Sequence, residues 1–500
     1  HYSVIKAANL IVNGAGNVNG SQEKKNVAFG NAHYWRAYSY FYLVRVFGKI
    51  PIITNTDINQ LDAQPAEIAE VYEMIVKDLK DAINELPTKY DYEPARLFDV
   101  DVWVTKQAAQ STLAAVYMSM AGYPLNKGTE YYKLAAEQAK DVIDNNRTYG
   151  FILNPDWKDV YSMGNNYNKE TLLGINNDAK GWWDHDSQLS SCCRFESLGD
   201  GGWGDAWGEI AFWKRYPEGP RKNAIYAKRI TFQDGTVITA DCNWWDIPTA
   251  DLWVPITMKT DAKELEKQIK GLDEKIEKEK DNEKKTVRKV NGKYEKLLFE
   301  KGKKCVKEYH PMFTIFTVNC DEKGGMLRQP YDCMKPNYSG MVNDRRHNLI
   351  RYSEVLLWYA ESAARAGLDL SEAKYYLKLV RQRAVNSADV DKVTLSDGSI
   401  VNIDNMNAAQ LAEACYIEHG WEVAGNWVSM VTRRADELRM NELKKNFEYR
   451  VTNAPVVIAK EGDKEYTAQE SVTVTGPWSE NRIYCPYPTT DGEKNPNLKH

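Results

Sequence analysis

Apolar residues recur at spacings of three and four along both ends of this chain and lose that rhythm in its middle, which divides the sequence into helical flanks and an irregular centre. The most apolar stretch runs from Ala32 to Phe47, where His33, Arg36, Ser39 and Arg45 are the only strongly polar side chains. A helix with so little polar face must be covered on most sides. Gly48 suits its left-handed C-terminal position, and Pro51 stops any continuation. Val4, Ile5, Ala8 and Val12 mark one face of a helix ahead of it. Between Glu67 and Leu86, the residues Ile68, Val71, Tyr72, Ile75, Leu79, Ala82, Ile83 and Leu86 form an apolar stripe that Pro87 ends. Trp103 to Ala121 is alanine-rich, which permits close approach of a neighbour, and Tyr131 to Asn145 completes a helix pair with it. Past the centre, Asn348 to Gly367, Ser371 to Val385 and Gln410 to Arg434 read as further helices.

From Arg147 to Tyr338 the texture shifts to Gly, Asp, Asn, Pro and Trp. This predicts a loop-rich lobe. Within it, more than half of the residues from Lys259 to Glu308 are charged. Leu265, Ile269, Leu272 and Ile276 keep coiled-coil spacing for less than two heptads, and Asn291-Gly292 is the preferred two-residue hairpin turn. A small, solvated helix and hairpin insertion over 259–308 is the expectation.

Hydrophobic content of 43% over 500 residues allows a large core, and a net charge of -5 gives no reason to expect nucleic acid. No apolar run approaches the ~20 residues of a membrane-spanning helix. The opening HYSVIKAANLIV lacks the basic start, apolar centre and small-residue site of a signal peptide. The cysteines, 192, 193, 242, 305, 320, 333, 415 and 485, show no C-x-x-C metal spacing, and their redox state stays open.

Arg36-Ala37-Tyr38-Ser39-Tyr40-Phe41-Tyr42-Leu43-Val44-Arg45-Val46-Phe47-Gly48, with Pro51, resembles the second-helix motif of the SusD/RagB outer-membrane nutrient-binding proteins. Asn31 stands where that family usually has an acidic residue. Ile350 to Glu361 and Leu377 to Ala384 resemble later family helices. Gln410 to Arg434 corresponds to an acidic and arginine-rich helix, with Gly420, Gly425 and Met430 where that helix is usually more regular. Tyr484-Cys485-Pro486-Tyr487-Pro488 and Asn495-Pro496-Asn497-Leu498 are similar to the family's ending. Periodicity alone shows paired helices; the resemblance implies an all-α, tetratricopeptide-like scaffold. It is expected over 1–146 and 344–440, with the loop-rich lobe at 147–343 and a tail over 441–500 packed on the scaffold. It also implies a lipid-modified cysteine near the mature N-terminus. No cysteine precedes Cys192, so that anchor rests on the resemblance and belongs to a segment ahead of His1.

Eight of the 15 tryptophans fall between residues 182 and 253 in glycine-rich sequence. A tryptophan in a loop offers a flat, rigid face on which a sugar ring stacks while polar neighbours bind its hydroxyls. The expected platform is Trp182, Trp183, Trp203, Trp207, Trp244 and Trp245, with Asp184 and His185 as hydroxyl partners. Burial of these rings under the loops is the competing reading. Asp184 with Asp186, or Asp200 with Asp205, would suit the paired carboxyls of a glycoside hydrolase, but loop aspartates are usually turn formers. Asp184-His185-Asp186 has no recognised metal-ligand spacing, and neither a phosphate-cradling loop nor a nucleophile elbow is present. No catalytic residue, metal or cofactor is therefore expected. The resemblance implies a surface-exposed, lipid-anchored outer-membrane receptor that binds a glycan and works with a SusC-like TonB-dependent transporter. Receptors of the same fold for peptides, and a glycosidase, are the alternatives.

Overall fold

Ser21 starts the central element: its side chain accepts from the Lys24 amide, so the helix begins at Gln22, a turn and more before its apolar run. In the computed structural model, residues 1–14, 19–56, 62–161, 165–177, 208–226, 229–231, 237–239, 253–255, 303–305, 313, 326–327, 345–426, 428–452, 456–461, 464–469 and 476–498 are described. Helix α1 is Tyr2–Asn13 and α2 is Gln22–Phe47. Then come α3, Ile68–Glu85, α4, Lys106–Ala121, and α5, Thr129–Asp144. Short helices α6, Ile210–Arg215, and α7, Pro220–Ile225, lie in the middle segment. The C-terminal side supplies α8, Tyr352–Ala366, α9, Leu370–Gln382, α10, Ala408–Glu422, and α11, Arg433–Arg439.

The scaffold is a stack in which each helix packs on the next: α1 on α2, α2 on α3, α3 on α4, α4 on α5. Helix α8 then packs against α5, α9 and α10, which joins the two ends of the sequence in one core. Tyr34, Ala37, Tyr40 and Phe41 are fully buried, each large side chain contributing roughly 1.5–3 kcal/mol of burial free energy. The polar residues of α2 are engaged as well. Arg36 donates to both carboxylate oxygens of Asp78 on α3, each at 2.7 Å, and to Asn9 Oδ1 on α1 at 2.9 Å. One buried guanidinium thus ties three helices. At Gly30 an added Cβ would lie 2.7 Å from Leu86 Cγ, and at Gly122 it would lie 2.1 Å from the Arg439 carbonyl oxygen. These close approaches explain both glycines.

Two elements differ from the sequence reading. Residues 348–351 form the end of a strand, His347–Arg351, and the helix begins only at Tyr352. That strand pairs antiparallel with Thr171–Ile175, with Asn348 opposite Gly174 and Arg351 opposite Thr171. Asn348 to Arg351 are buried, so this two-stranded sheet has no polar face to betray it by alternation. The helix expected over Gln410 to Arg434 is broken: α10 ends at Glu422, Gly425 takes φ 75°, and α11 starts at Arg433. The turn returns the chain to the sheet, where Asn426 Nδ2 donates to the Asn348 carbonyl at 3.0 Å and the Met430 amide to Leu349 at 2.8 Å.

Residues 476–498 lie against the C-terminal end of α2. The Cys485 amide donates to the Val46 carbonyl at 2.8 Å, Tyr487 Oη to Lys49 at 2.5 Å, and Asn495 Nδ2 to Ala63 at 2.9 Å. The Tyr484 ring packs 3.1 Å from where a Cβ on Gly48 would stand, and Gly48 has φ 75°, so no other residue fits without strain. The charged insertion 259–308, apart from the strand Lys303–Cys305, lies outside the described residues.

Candidate functional site

Trp182, Trp183, Asp184, His185, Trp203, Trp207, Trp244 and Trp245 lie outside the described residues, as do Asp186, Asp200, Asp205 and Asn243. Within that tryptophan-rich stretch, the structure describes residues 208–226. Helix α6 carries Trp213, half-buried, with Lys222 Nζ 3.7 Å from its ring centroid. Tyr216 is buried against Trp421, ring centroids 4.9 Å apart, and its hydroxyl donates to the Trp421 carbonyl at 2.6 Å. Trp157, Tyr161, Tyr226 and Phe313 complete this second hydrophobic cluster.

Beneath the cluster lies a charged hub built from five segments. Glu422, at the end of α10, receives Arg351 Nη1 at 2.6 Å, Arg221 Nη1 at 2.7 Å and Arg383 Nη2 at 3.1 Å. Trp157 Nε1 adds a bond at 3.2 Å. Arg383 also grips both oxygens of Glu170, at 2.5 Å each. One turn back from Glu422, Glu418 takes Arg381 Nη1 at 2.5 Å, and Arg221 Nη2 sits 2.7 Å away, off the angle of a hydrogen bond. Burial alone pushes the Glu422 carboxyl up, but Arg351, Arg383 and Arg221 hold it well below the usual carboxylate range. Each of these carboxylates is ion-paired with guanidinium groups. A glycosidase acid needs the opposite, a carboxyl held protonated near neutral pH. The hub fastens Arg221 of the middle segment to Arg351, Arg383 and Glu422 of the scaffold.

A second buried group resembles a catalytic dyad without being able to act as one. His419 Nδ1 is bonded to Asp436, its Nε2 lies 3.5 Å from Glu354, and Ser429 Oγ donates to Glu354 at 2.8 Å. Burial lowers His419, but Asp436, by charge and hydrogen bond, and Glu354 raise it to about 9. Trp358 Nε1 lies 3.3 Å from Nε2 while Asp436 holds Nδ1, so both ring nitrogens are engaged by protein groups and the ring is not free to take a proton from a nucleophile. His33, Asp78 and Asp81 bring ligand atoms within 4.8 Å of one another, yet Arg36 occupies Asp78, Glu85 sits 2.7 Å from His33 Nδ1, and Lys77 reaches Asp81. That group is a helix seam.

Sequence reasoning placed Glu418, Glu422 and Arg381 on helices without seeing their partnership. The available clue was two glutamates one turn apart, Glu418 and Glu422, on a largely apolar helix face.

A family model described as starch-binding, associating with the outer membrane, matches residues 1–118, and the SusD family model matches residues 226–500. The chain is 32% identical over 178 residues to SusD-like protein P2 of Formosa agariphila, covering 35% of this chain and 32% of that protein. It is 30% identical over 242 residues to a SusD-like protein of Bacteroides ovatus, covering 45% and 41%. The aligned part thus spans about a third to two fifths of the curated relatives' own length. Among solved structures, a SusD homologue from Bacteroides thetaiotaomicron superposes with a TM-score of 0.65 at 18% identity, over 100% of this chain and 83% of that one. A structure with xylogluco-oligosaccharide superposes with a TM-score of 0.62 at 20% identity, over 100% and 86%. These likenesses establish the all-α, tetratricopeptide-like fold, and the match over residues 226–500, more than half of the sequence, makes the chain a member of the SusD family.

Proposed function

We propose that this chain is a non-catalytic receptor on the outer membrane that captures an oligosaccharide and passes it to a SusC-like TonB-dependent transporter. Family membership carries the reading, since the family model matching residues 1–118 is described as starch-binding and associating with the outer membrane. A structural neighbour holding a xylogluco-oligosaccharide supports a glycan as the ligand class. Among the described residues, the hub's carboxylates are committed to arginines that fasten the middle segment to the scaffold, so the hub itself offers no free carboxyl for hydrolysis. The ligand face is assigned to the tryptophan-rich stretch, with Trp182, Trp183, Trp203, Trp207, Trp244 and Trp245 as stacking platforms and Asp184 and His185 as hydroxyl partners. Surface exposure and an N-terminal lipid anchor belong to the same proposal.

Glycan-array screening beside a peptide library, with product analysis on every glycan hit, is the test. Saturable glycan binding without product release is expected. Released product would replace the receptor with an enzyme, and peptide hits alone would change the nutrient class. Co-purification from detergent-solubilised outer membranes should recover a large barrel protein, and repeated failure with an intact anchor would remove the transporter from the proposal.

A further inference from the structure

Between α3 and α4 the chain doubles back on itself. Arg96–Leu97 pairs antiparallel with Val100–Asp101, and past that hairpin the Ala95 carbonyl takes the amides of Val102 at 2.9 Å and Trp103 at 3.3 Å. Helix α4 starts only at Lys106, so Trp103 stands ahead of it in the loop. The Tyr90 amide donates to Asp101 Oδ1 at 3.0 Å, and the Tyr90 hydroxyl donates to the Val104 carbonyl at 2.7 Å. Both ends of the loop are thereby tied to Tyr90, which is buried.

Two further rings pack against Tyr90 by their edges. Tyr92 lies 5.8 Å from Tyr90 at an interplanar angle of 87° and 6.0 Å from Trp103 at 89°, while Trp103 lies 5.9 Å from Tyr90 at 75°. Edge-to-face contact is a geometry that aromatic pairs prefer, so the three rings hold one another in place. Only the inner one is covered. Tyr92 is 45% exposed and Trp103 38% exposed, which makes them a rigid aromatic corner in contact with water. The polar groups around the corner are uncommitted. Among the described residues, Tyr92 Oη, Trp103 Nε1 and the exposed carboxylates of Asp91 and Glu93, on either side of Tyr92, have no hydrogen-bond or ion-pair partner.

The size and rim of the corner select its occupant. Rings of roughly 150–250 Å² each, exposed to this degree, leave on the order of 150–200 Å² of aromatic surface in water. A stable protein partner covers about 800 Å² on each side. Lys89, Asp91 and Glu93 are exposed charges, and the core of a protein interface is depleted of charge. A small ligand with one apolar face and a polar rim fits instead. A pyranose ring has that form: its C–H face packs on an aromatic ring, while its hydroxyls donate to carboxylates and accept from an indole N–H or a phenol. A corner already fixed by packing loses little freedom when it binds.

We propose that the Tyr92–Trp103 corner is a sugar-contact site on the helical scaffold. One face of a pyranose packs on Trp103, Tyr92 borders its edge, and Asp91 and Glu93 supply acceptors for its hydroxyls. The ligand class rests on the glycan reading above, and the corner adds to it residues that the tryptophan-rich stretch does not contain.

The test uses the full chain carrying fluorinated tryptophan, with the Trp103 resonance assigned in fluorine NMR by Trp103→Phe. The probes are maltohexaose, cellohexaose, mannohexaose, xylohexaose and a xyloglucan oligosaccharide. At least one should move the Trp103 resonance saturably. Trp103→Ala and Tyr92→Ala should each weaken that sugar roughly threefold to tenfold by calorimetry, with a Tm measurement establishing that each folds. A sugar that binds by calorimetry while the Trp103 resonance stays in place overturns the corner and leaves the receptor standing. Unchanged affinity in both variants does the same. A panel that moves nothing also overturns the corner; glycan-array binding then keeps the receptor, whereas silence in both assays removes both. A Trp103 resonance that moves with protein concentration instead of with sugar marks a contact between copies of the chain and overturns the sugar site.

Discussion

Replacing Glu422 by Gln tests whether the charged hub is what fastens the middle segment to the scaffold. The substitution keeps the volume and removes one negative charge. Arg351, Arg221 and Arg383, whose donors lie 2.6, 2.7 and 3.1 Å from the carboxylate, then share an amide that can accept at only one atom. Breaking a buried ion pair from one side costs roughly 3–5 kcal/mol. A chain of this size unfolds with an entropy on the order of 1 kcal/mol/K, so Tm should fall by roughly 3–5 °C if it unfolds as one unit. Calorimetry reads the Tm, and limited proteolysis should show faster cleavage around residues 208–226, which Arg221 anchors. The pH dependence has a definite sign. The folded Glu422 carboxyl sits below its ordinary value of 4.5, so its stabilisation is complete above that value and is lost as pH falls below it. The parent and Glu422→Gln should therefore differ most near neutrality and converge in acid. An unchanged Tm at pH 7, or a gap that widens on acidification, would refute the reasoning.

His419 has its pKa raised to about 9, so the stability it contributes is complete below 6.5 and fades as pH rises through about 9; Tm of the parent should drop over that window, and that of His419→Gln should not. Gly122→Ala places a Cβ 2.1 Å from the Arg439 carbonyl oxygen and should cost roughly 1–3 kcal/mol, read by denaturant unfolding. Trp183→Ala and Trp245→Ala, made separately, should each weaken glycan binding roughly fivefold to tenfold with Tm preserved, since one stacked ring and its hydrogen bonds contribute about 1 kcal/mol each; lower Tm with unchanged affinity would make those residues core.

Helices whose apolar stripe has a regular period were legible from sequence. Ile75, Leu79 and Ala82 are buried on α3 as their spacing implies, and α4 is buried from Gln107 to Ala121 as its small residues suggest. What escaped was decided across the chain. Nothing near Glu422 in sequence announces Arg221 or Trp157, because the hydrogen bonds that join them span 201 and 265 residues. Asn348 to Arg351 read as the start of a helix because they are buried in a sheet covered on both faces, which erases the alternation that identifies a strand. The tryptophan platform follows from composition alone, and its members lie outside the described residues.

The bonds from residues 485–497 to residues 46–63 act as a clasp with kinetic and mechanical consequences. Tyr487 and Lys49 are 438 residues apart, so their contact closes one of the longest loops in the molecule. Loop-closure entropy makes such a contact a late event, formed only after the intervening helices have shortened the distance. Until then the C-terminal end of α2 is bare, and the first helix pairs must hold on local packing alone. In the finished molecule, a force applied at residues 1 and 498 loads the clasp before it reaches the hub. Tyr2 Oη donates to the Pro51 carbonyl at 2.9 Å, so both points of attachment converge on the same short segment after Phe47. Pulling on the ends should therefore peel residues 476–498 away first and leave the helical stack folded.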